Sequence, residues 1–159
     1  VIISYTDIVF DEKIIHSIKN VNNDINIAVE MDWTKTYVDR TEHPIDEAAN
    51  VLIEDGLVKK IGHQTKRFGF FKKDNLGEFL GIIKLRNIST VILQKHLQQL
   101  RKIHKGKFHD AKSFELAKLT DFLQDLVESK VEIDPIFVDG KWCEIDTPKD
   151  LELARKQFL

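Results

Sequence analysis

Apolar and polar positions alternate in blocks along this chain, and each block predicts an element. Val1 to Thr6 is continuously apolar and β-branched, the pattern of a strand buried on both faces, and Asp7 stands at its end. Asp11 can cap the next segment, where Ile14, Ile15 and Ile18 share one helical stripe. Asp24 to Glu30 alternates through Ile25, Ile27 and Val29 and reads as a second strand. Strand, helix and strand at this spacing predict a parallel crossover unit. From Asn50 to Ile61 two short β runs flank Asp55-Gly56, a strong hairpin signal. Gly77 to Leu85 is another apolar strand, in which Glu78 needs a partner if buried and Gly81 marks the close approach of a ligand or another backbone.

Two helical patterns come next. Ile88, Val91, Ile92, Leu100 and Ile103 form the stripe of the first, and Leu119, Phe122, Leu123, Leu126 and Val127 that of the second, both predicted as core faces. His104 to Asp110 between them is basic and reads as solvated. Val131 to Val138 is a strand interrupted by Pro135, which places it at an edge or a bulge. Trp142 to Ile145 then reads as a short strand, and Thr147, Pro148 and Asp150 supply the cap, first helical position and capping box of a helix from Pro148 to Phe158. Asp146 therefore falls on the turn from strand to helix, where ligands bind in open α/β sheets. A competing role is support of the cap and the helix dipole. Met31 to Pro44 has little periodicity but holds Asp32, Trp33, Tyr37, Asp39 and Arg40. It reads equally as a binding loop and as aromatic cover for the sheet edge.

Composition narrows the function classes. With 159 residues, 42% of them apolar, the chain is sized for one domain with its own core. Lys and Arg number 24 against 26 Asp and Glu, and a net charge of -2 exerts no long-range pull on nucleic acid or an anionic membrane. Cys143 is the one cysteine, which excludes a disulfide framework and a cysteine-rich zinc site and suits a reducing cytoplasm. No apolar run reaches the roughly 18 residues of a membrane span. The first residue is Val, and an apolar strand opens with no polar lead-in, so the expectation is a piece of a longer chain whose N-terminal part is absent.

Asp7 and Asp146 are expected in equivalent places, each just past a strand in a sheet of mainly parallel character. Two carboxylates with an otherwise open coordination sphere suit Mg²⁺, which keeps waters and takes its remaining ligands from phosphates. That chemistry predicts phosphoryl or nucleotidyl transfer. Histidine or thiol groups at comparable positions are missing, which argues against a zinc hydrolase or a Ser-His-Asp mechanism.

The series Ser4-Tyr5-Thr6-Asp7-Ile8-Val9-Phe10, Asp32-Trp33 with Tyr37 and Arg40, Gly77-Glu78-Phe79-Leu80-Gly81, Leu119-Thr120-Asp121 and Trp142-Cys143-Glu144-Ile145-Asp146-Thr147 resembles the sugar-phosphate nucleotidyltransferase superfamily. The nearest branch in appearance comprises the phosphocholine and 2-aminoethylphosphonate cytidylyltransferases, including domains fused to phosphoenolpyruvate mutases. The resemblance runs in order along nearly the whole chain. It implies an α/β, GT-A-like and Rossmann-like mixed sheet flanked by helices and truncated at its N-terminus, with residues 1–159 as the C-terminal portion of one nucleotidyltransferase domain. It further implies transfer of a nucleotide monophosphate, with CTP as the expected donor, to a phosphate or phosphonate acceptor with release of pyrophosphate. Under it Asp7 and Asp146 are the catalytic Mg²⁺ ligands, Glu78 contacts the acceptor, and Asp32, Trp33, Tyr37 and Arg40 complete the substrate-binding set. Thr6 departs from the Gly or Ser usual before the first metal Asp. The Gly-rich loop that cradles the triphosphate is not in these residues, so the fragment alone is expected to be inactive. An alternative from another class is a non-catalytic binding or interaction module on the same scaffold.

Overall fold

In the computed structural model, which describes residues 1–37, 40, 42, 45–63 and 73–159, short-range signals set most of the element boundaries. The elements are β1 (Ile2–Ser4), β2 (Ile8–Phe10), α1 (Glu12–Asn20), β3 (Ile25–Glu30), β4 (Ala49–Glu54), β5 (Leu57–His63), β6 (Leu76–Leu85), α2 (Asn87–Ile103), α3 (Leu119–Glu128), β7 (Asp134–Phe137), β8 (Trp142–Glu144) and α4 (Pro148–Phe158). Asp11 caps α1 by accepting from the amides of Lys13 at 3.1 Å and Ile14 at 3.4 Å. The Asp55-Gly56 turn joins β4 to β5 with φ of 52° and 75°, the left-handed pair that a two-residue hairpin demands. Thr147 and Asp150 form the capping box of α4, with Pro148 at its first position.

The sheet runs β5-β4-β6-β3-β7, with β1 as a sixth strand against β6. It is a mixed sheet in which only β3 and β7 pair in parallel. The mainly parallel character expected from the crossover pattern is corrected here: β1 and β3 do run the same way, but β6 lies between them, antiparallel to both. β2 and β8 form their own antiparallel ribbon beside the sheet. Pro135 sits in β7, an edge strand. Helices cover both faces. Leu123 and Leu126 of α3 pack with Ile27, Val29, Val51 and Ile83 on one side, and Ile14 and Ile18 of α1 pack with Ala28, Leu80, Ile82 and Ile136 on the other.

Other expectations are also corrected. β1 is not buried on both faces: Ile2 and Ile3 are 45% and 44% exposed, because β6 contacts one edge of the strand and no helix covers it among the described residues. The α2 stripe is not a core face, since Ile88, Val91, Ile92 and Ile103 are exposed and Leu100 alone of the five is buried. The 104–110 segment is anchored rather than simply solvated. Phe108 is fully enclosed, its ring meets those of His104 and Phe114, and His109 Nε2 lies 3.1 Å from Asp125. No helix among the described residues is long and apolar enough to cross a membrane.

The two edges of β6 are paired differently, and this opens the sheet at one point. β3 pairs along one edge from Glu78 to Leu85, with a register shift between Ile27 and Val29, while β4 and β1 share the other: β4 takes Leu76 to Glu78, and β1 takes Ile82 to Lys84. Between them Gly81 adopts φ of 72° and its carbonyl accepts the Tyr5 amide at 3.0 Å. The Tyr5 ring lies so close over Gly81 that a Cβ there would collide with it. Gly81→Ala is therefore expected to lower stability by about 1–3 kcal/mol through the positive φ alone, and to displace Tyr5 as well. Urea unfolding measures the first effect and tyrosine fluorescence the second; wild-type values for both would mean that β6 does not need its glycine.

Candidate active site

Where β4 ends its pairing with β6 and β1 begins, the surface opens into a cleft of about 790 Å³. That volume suits a small-molecule site. Tyr5 and Asp7 line it from the stretch between β1 and β2, Glu78 and Phe79 from β6, Glu144 and Asp146 from the end of β8, and Lys118, Thr120 and Asp121 from the first turn of α3. Among the described residues the lining holds eight carboxylate side chains against one lysine.

The ribbon explains why two acids far apart in sequence meet. β2 and β8 pair Ile8 with Glu144, and just beyond that pair the Ile145 amide donates to the Asp7 carbonyl at 2.8 Å. Asp7 and Asp146 therefore leave the same end of the ribbon, both exposed to solvent. Their strand-end equivalence takes a different form from that expected, since Asp7 precedes β2 while Asp146 follows β8.

Arg40 stands behind the Asp146 side of the cleft. It is 7% exposed, and each of its three guanidinium nitrogens meets a different carboxylate: Nε donates to Asp150 at 2.9 Å, Nη2 to Asp146 at 3.3 Å, and Nη1 lies 3.6 Å from Glu144. Asp150 also accepts from the Thr147 amide at 3.0 Å and hydroxyl at 2.9 Å. Burial pushes the Asp150 carboxyl up, but the bonds from Arg40 and Thr147 outweigh it and hold the group below its usual range.

Glu78 occupies the buried side of the same cleft. It is 3% exposed, its Oε1 accepts the Tyr37 hydroxyl, and its Oε2 has no partner among the described residues. Asn50, opposite Glu78 in the register of β4 and β6, has an unpartnered Nδ2, and the two side chains do not bond each other. Burial raises the Glu78 carboxyl to about 8; the Tyr37 bond opposes this and Glu144 adds to it. The Tyr37 hydroxyl is itself raised, first by burial and then by the charge of Glu78. Tyr5 is raised by burial and by Glu144 and Asp7.

Of the residues singled out in the sequence, Asp7, Glu78 and Asp146 share the cleft. Tyr37 and Arg40 lie one layer back, each bonded to a residue that lines it. Asp32 and Trp33 are not among the lining residues: Asp32 is exposed and pairs with Lys35, while Trp33 is buried and donates Nε1 to the Leu76 carbonyl at 3.2 Å. Asp39 lies outside the described residues. Sequence reasoning attached no role to Tyr5 and Glu144, although each stands two positions from an acid of the pair. In extended backbone that spacing puts side chains on one face, and it is the signal that could have found them.

No family model matches the chain. Over 152 residues it is 27% identical to the CTP:phosphoglutamine cytidylyltransferase of Campylobacter jejuni, an overlap of 96% of this chain and 57% of that protein. Its fold is similar to that of the inositol-1-phosphate CTP transferase of T. maritima, with a TM-score of 0.58, 20% identity, and coverage of 94% of this chain and 50% of the other. It is also similar to a Bacillus anthracis protein assigned as a glucose-1-phosphate thymidylyltransferase, with a TM-score of 0.59, 13% identity, and coverage of 98% and 52%. The chain thus spans about half the length of these relatives. In sequence the chain is similar to a protein named as a cytidylyltransferase, and in fold to a CTP transferase and a thymidylyltransferase of Rossmann-like architecture.

The Glu78 carboxyl titrates near 4.5 when exposed and near 8 in the fold, so the folded state holds its proton more tightly. Its contribution to stability is whole below the lower value and is lost as pH rises through the upper one. Thermal unfolding of wild type and Glu78→Gln from about pH 5 to about pH 8.5 reads this directly. The difference, wild type minus variant, is expected to fall steadily with pH; a flat difference would show that Glu78 ionises normally.

Proposed function

We propose that this chain is the C-terminal portion of a nucleotidyltransferase domain that moves CMP from CTP to the phosphate or phosphonate of a small acceptor, releasing pyrophosphate. Phosphocholine and 2-aminoethylphosphonate are the acceptors favoured by the motif resemblance. The C. jejuni relative, named for phosphoglutamine, adds a phosphorylated amino acid to the same class. The observation that carries the reading is the meeting of Asp7 and Asp146 with buried Glu78 in one cleft of substrate size.

The donors of that cleft fit Mg²⁺. Asp7 and Asp146 offer hard oxygen atoms from one end of the β2–β8 ribbon, both lining the cleft. Two carboxylates with room for waters and phosphate oxygens are the usual setting for this ion, whereas an all-protein cage is not. When bound, the ion supplies neutralisation of charge on the donor's phosphates.

The remaining work falls to the chain itself. The acceptor's phosphate or phosphonate oxygen is already anionic near neutral pH, so attack on the α-phosphorus needs no general base and depends on in-line positioning. Arg40 fixes the Asp146 and Glu144 side chains, so the wall that faces the phosphates does not have to reorganise during reaction. Glu78, backed by the Tyr37 hydroxyl, forms the other wall, where the non-reacting end of the acceptor is held.

In the full-length protein, Asp146→Asn is expected to lower Mg²⁺-dependent pyrophosphate release by at least roughly 100-fold, the scale of losing one electrostatic group at a reacting centre. Mn²⁺ binding followed by electron paramagnetic resonance should weaken in parallel, while circular dichroism stays native. Near-normal turnover would remove Asp146 from the metal site. Silence of the wild type with CTP, UTP, GTP and ATP against every acceptor would favour the non-catalytic binding module instead.

A further inference from the structure

We propose that the acceptor presents to Glu78 a protonated amine that still carries N–H bonds, and that this site discriminates against a quaternary ammonium. The inference rests on the cytidylyl-transfer reading and adds the chemistry of the acceptor's cationic end.

Glu78 supplies the first argument. Its side chain lines the cleft and is almost wholly buried, one oxygen is taken by Tyr37, and the other has no partner among the described residues. A cation beside this oxygen favours the ionised carboxylate over the neutral form that burial otherwise holds, and the buried acceptor atom of that carboxylate is satisfied only by a donor. An ammonium with N–H bonds provides one, with charge assistance, whereas a trimethylammonium offers only methyl groups.

The aromatic rings supply the second. A quaternary ammonium is normally held against the open faces of aromatic rings. Trp33 and Tyr37, the natural candidates, do not line the cleft. They stand edge to face at 5.9 Å, and the Tyr37 ring already carries the Arg40 guanidinium 5.3 Å from its centroid. Tyr5 and Phe79 do line the cleft, but they too stand edge to face, at 6.1 Å, and Tyr5 is pressed onto Gly81. The described rings thus form no cage, and what the described lining offers a cation is charge with a hydrogen bond. Charge points the same way, since Glu144 and Glu30 both act on Glu78 and the lining is dominated by carboxylates. Arg40, the nearby counter-charge, is engaged by Glu144, Asp146 and Asp150.

The test is a methylation series with the full-length wild-type protein, CTP and Mg²⁺: phosphoethanolamine, its N-methyl and N,N-dimethyl forms, and phosphocholine, with 2-aminoethylphosphonate and its trimethyl analogue as a second pair. Pyrophosphate release is expected to show kcat/KM falling with methylation and dropping at least tenfold at the last step, chiefly through KM. Glu78→Gln should flatten the series while retaining native circular dichroism. Equal or better use of the trimethyl acceptors overturns the inference but leaves cytidylyl transfer standing, as does a preference for glucose 1-phosphate over every amine. No turnover with any acceptor overturns the functional reading and this inference with it.

Discussion

The Arg40 guanidinium lies in a buried space where Glu144, Asp146 and Asp150 converge, and the cleft depends on that one positive charge. Three carboxylates within a few residues of one another repel at short range, and the repulsion grows as water is excluded. Without a buried cation the turn from β8 to α4 would have to open towards solvent. Removing the buried cation from such an arrangement commonly costs about 3–5 kcal/mol, because a buried carboxylate, here Asp150, is left uncompensated. Asp150 adds a second constraint by serving the capping box and Arg40 at once, so the helix start and the acidic wall are set by the same side chain. Arg40 also covers the Tyr37 ring, and Tyr37 in turn bonds Glu78. Asp146 and Glu78 are thereby joined through one arginine and one tyrosine.

The acidity of the cleft follows a related logic. Glu78 retains its proton to about 8 because it is buried, even though the Tyr37 bond favours its ionised form. Asp150, also buried, goes the opposite way because it has Arg40 and Thr147 as donors. The difference between the two carboxyls is therefore the number of donors, and Glu78 is one short. A cleft lined in this way carries unbalanced negative charge, and under the proposed function a metal-bound triphosphate and a charged acceptor are the partners that would balance it.

How far the residues foretold this depends on the range of each interaction. The Asp11 cap, the Asp55-Gly56 turn and the Thr147–Asp150 box are made by residues within four positions of each other, and each falls where its local pattern puts it. Arg40 and Asp150 are 110 positions apart, so nothing local marks Arg40 as the hub of the acidic wall rather than a substrate ligand. The α2 stripe has helical period but no partner among the described elements, since periodicity predicts a face and not what covers it. The 104–110 segment misleads for a further reason. His96 and His109 both bond Asp125, a residue of α3 that the histidines reach only after the chain folds back.

The position of the cleft is itself a consequence of strand pairing. β6 has one neighbour, β3, along one edge, with a register shift between Phe79 and Ile83, and two successive neighbours on its other edge; its backbone takes a positive φ at Gly81, where one gives way to the other. At such a junction neither strand can cover the gap, which is why ligand crevices gather where pairing order changes in α/β sheets. Glu78 is the last β6 residue paired with β4, and Tyr5 is the first residue beyond β1. Their side chains reach the cleft because the pairing ends beside them. Proteins of similar fold are named for different small phosphates, inositol 1-phosphate and glucose 1-phosphate among them, so the fold by itself does not decide what the cleft holds. What is held there is decided by the few side chains at its rim, and in this chain the most demanding of them is a buried carboxylate with one oxygen still to satisfy.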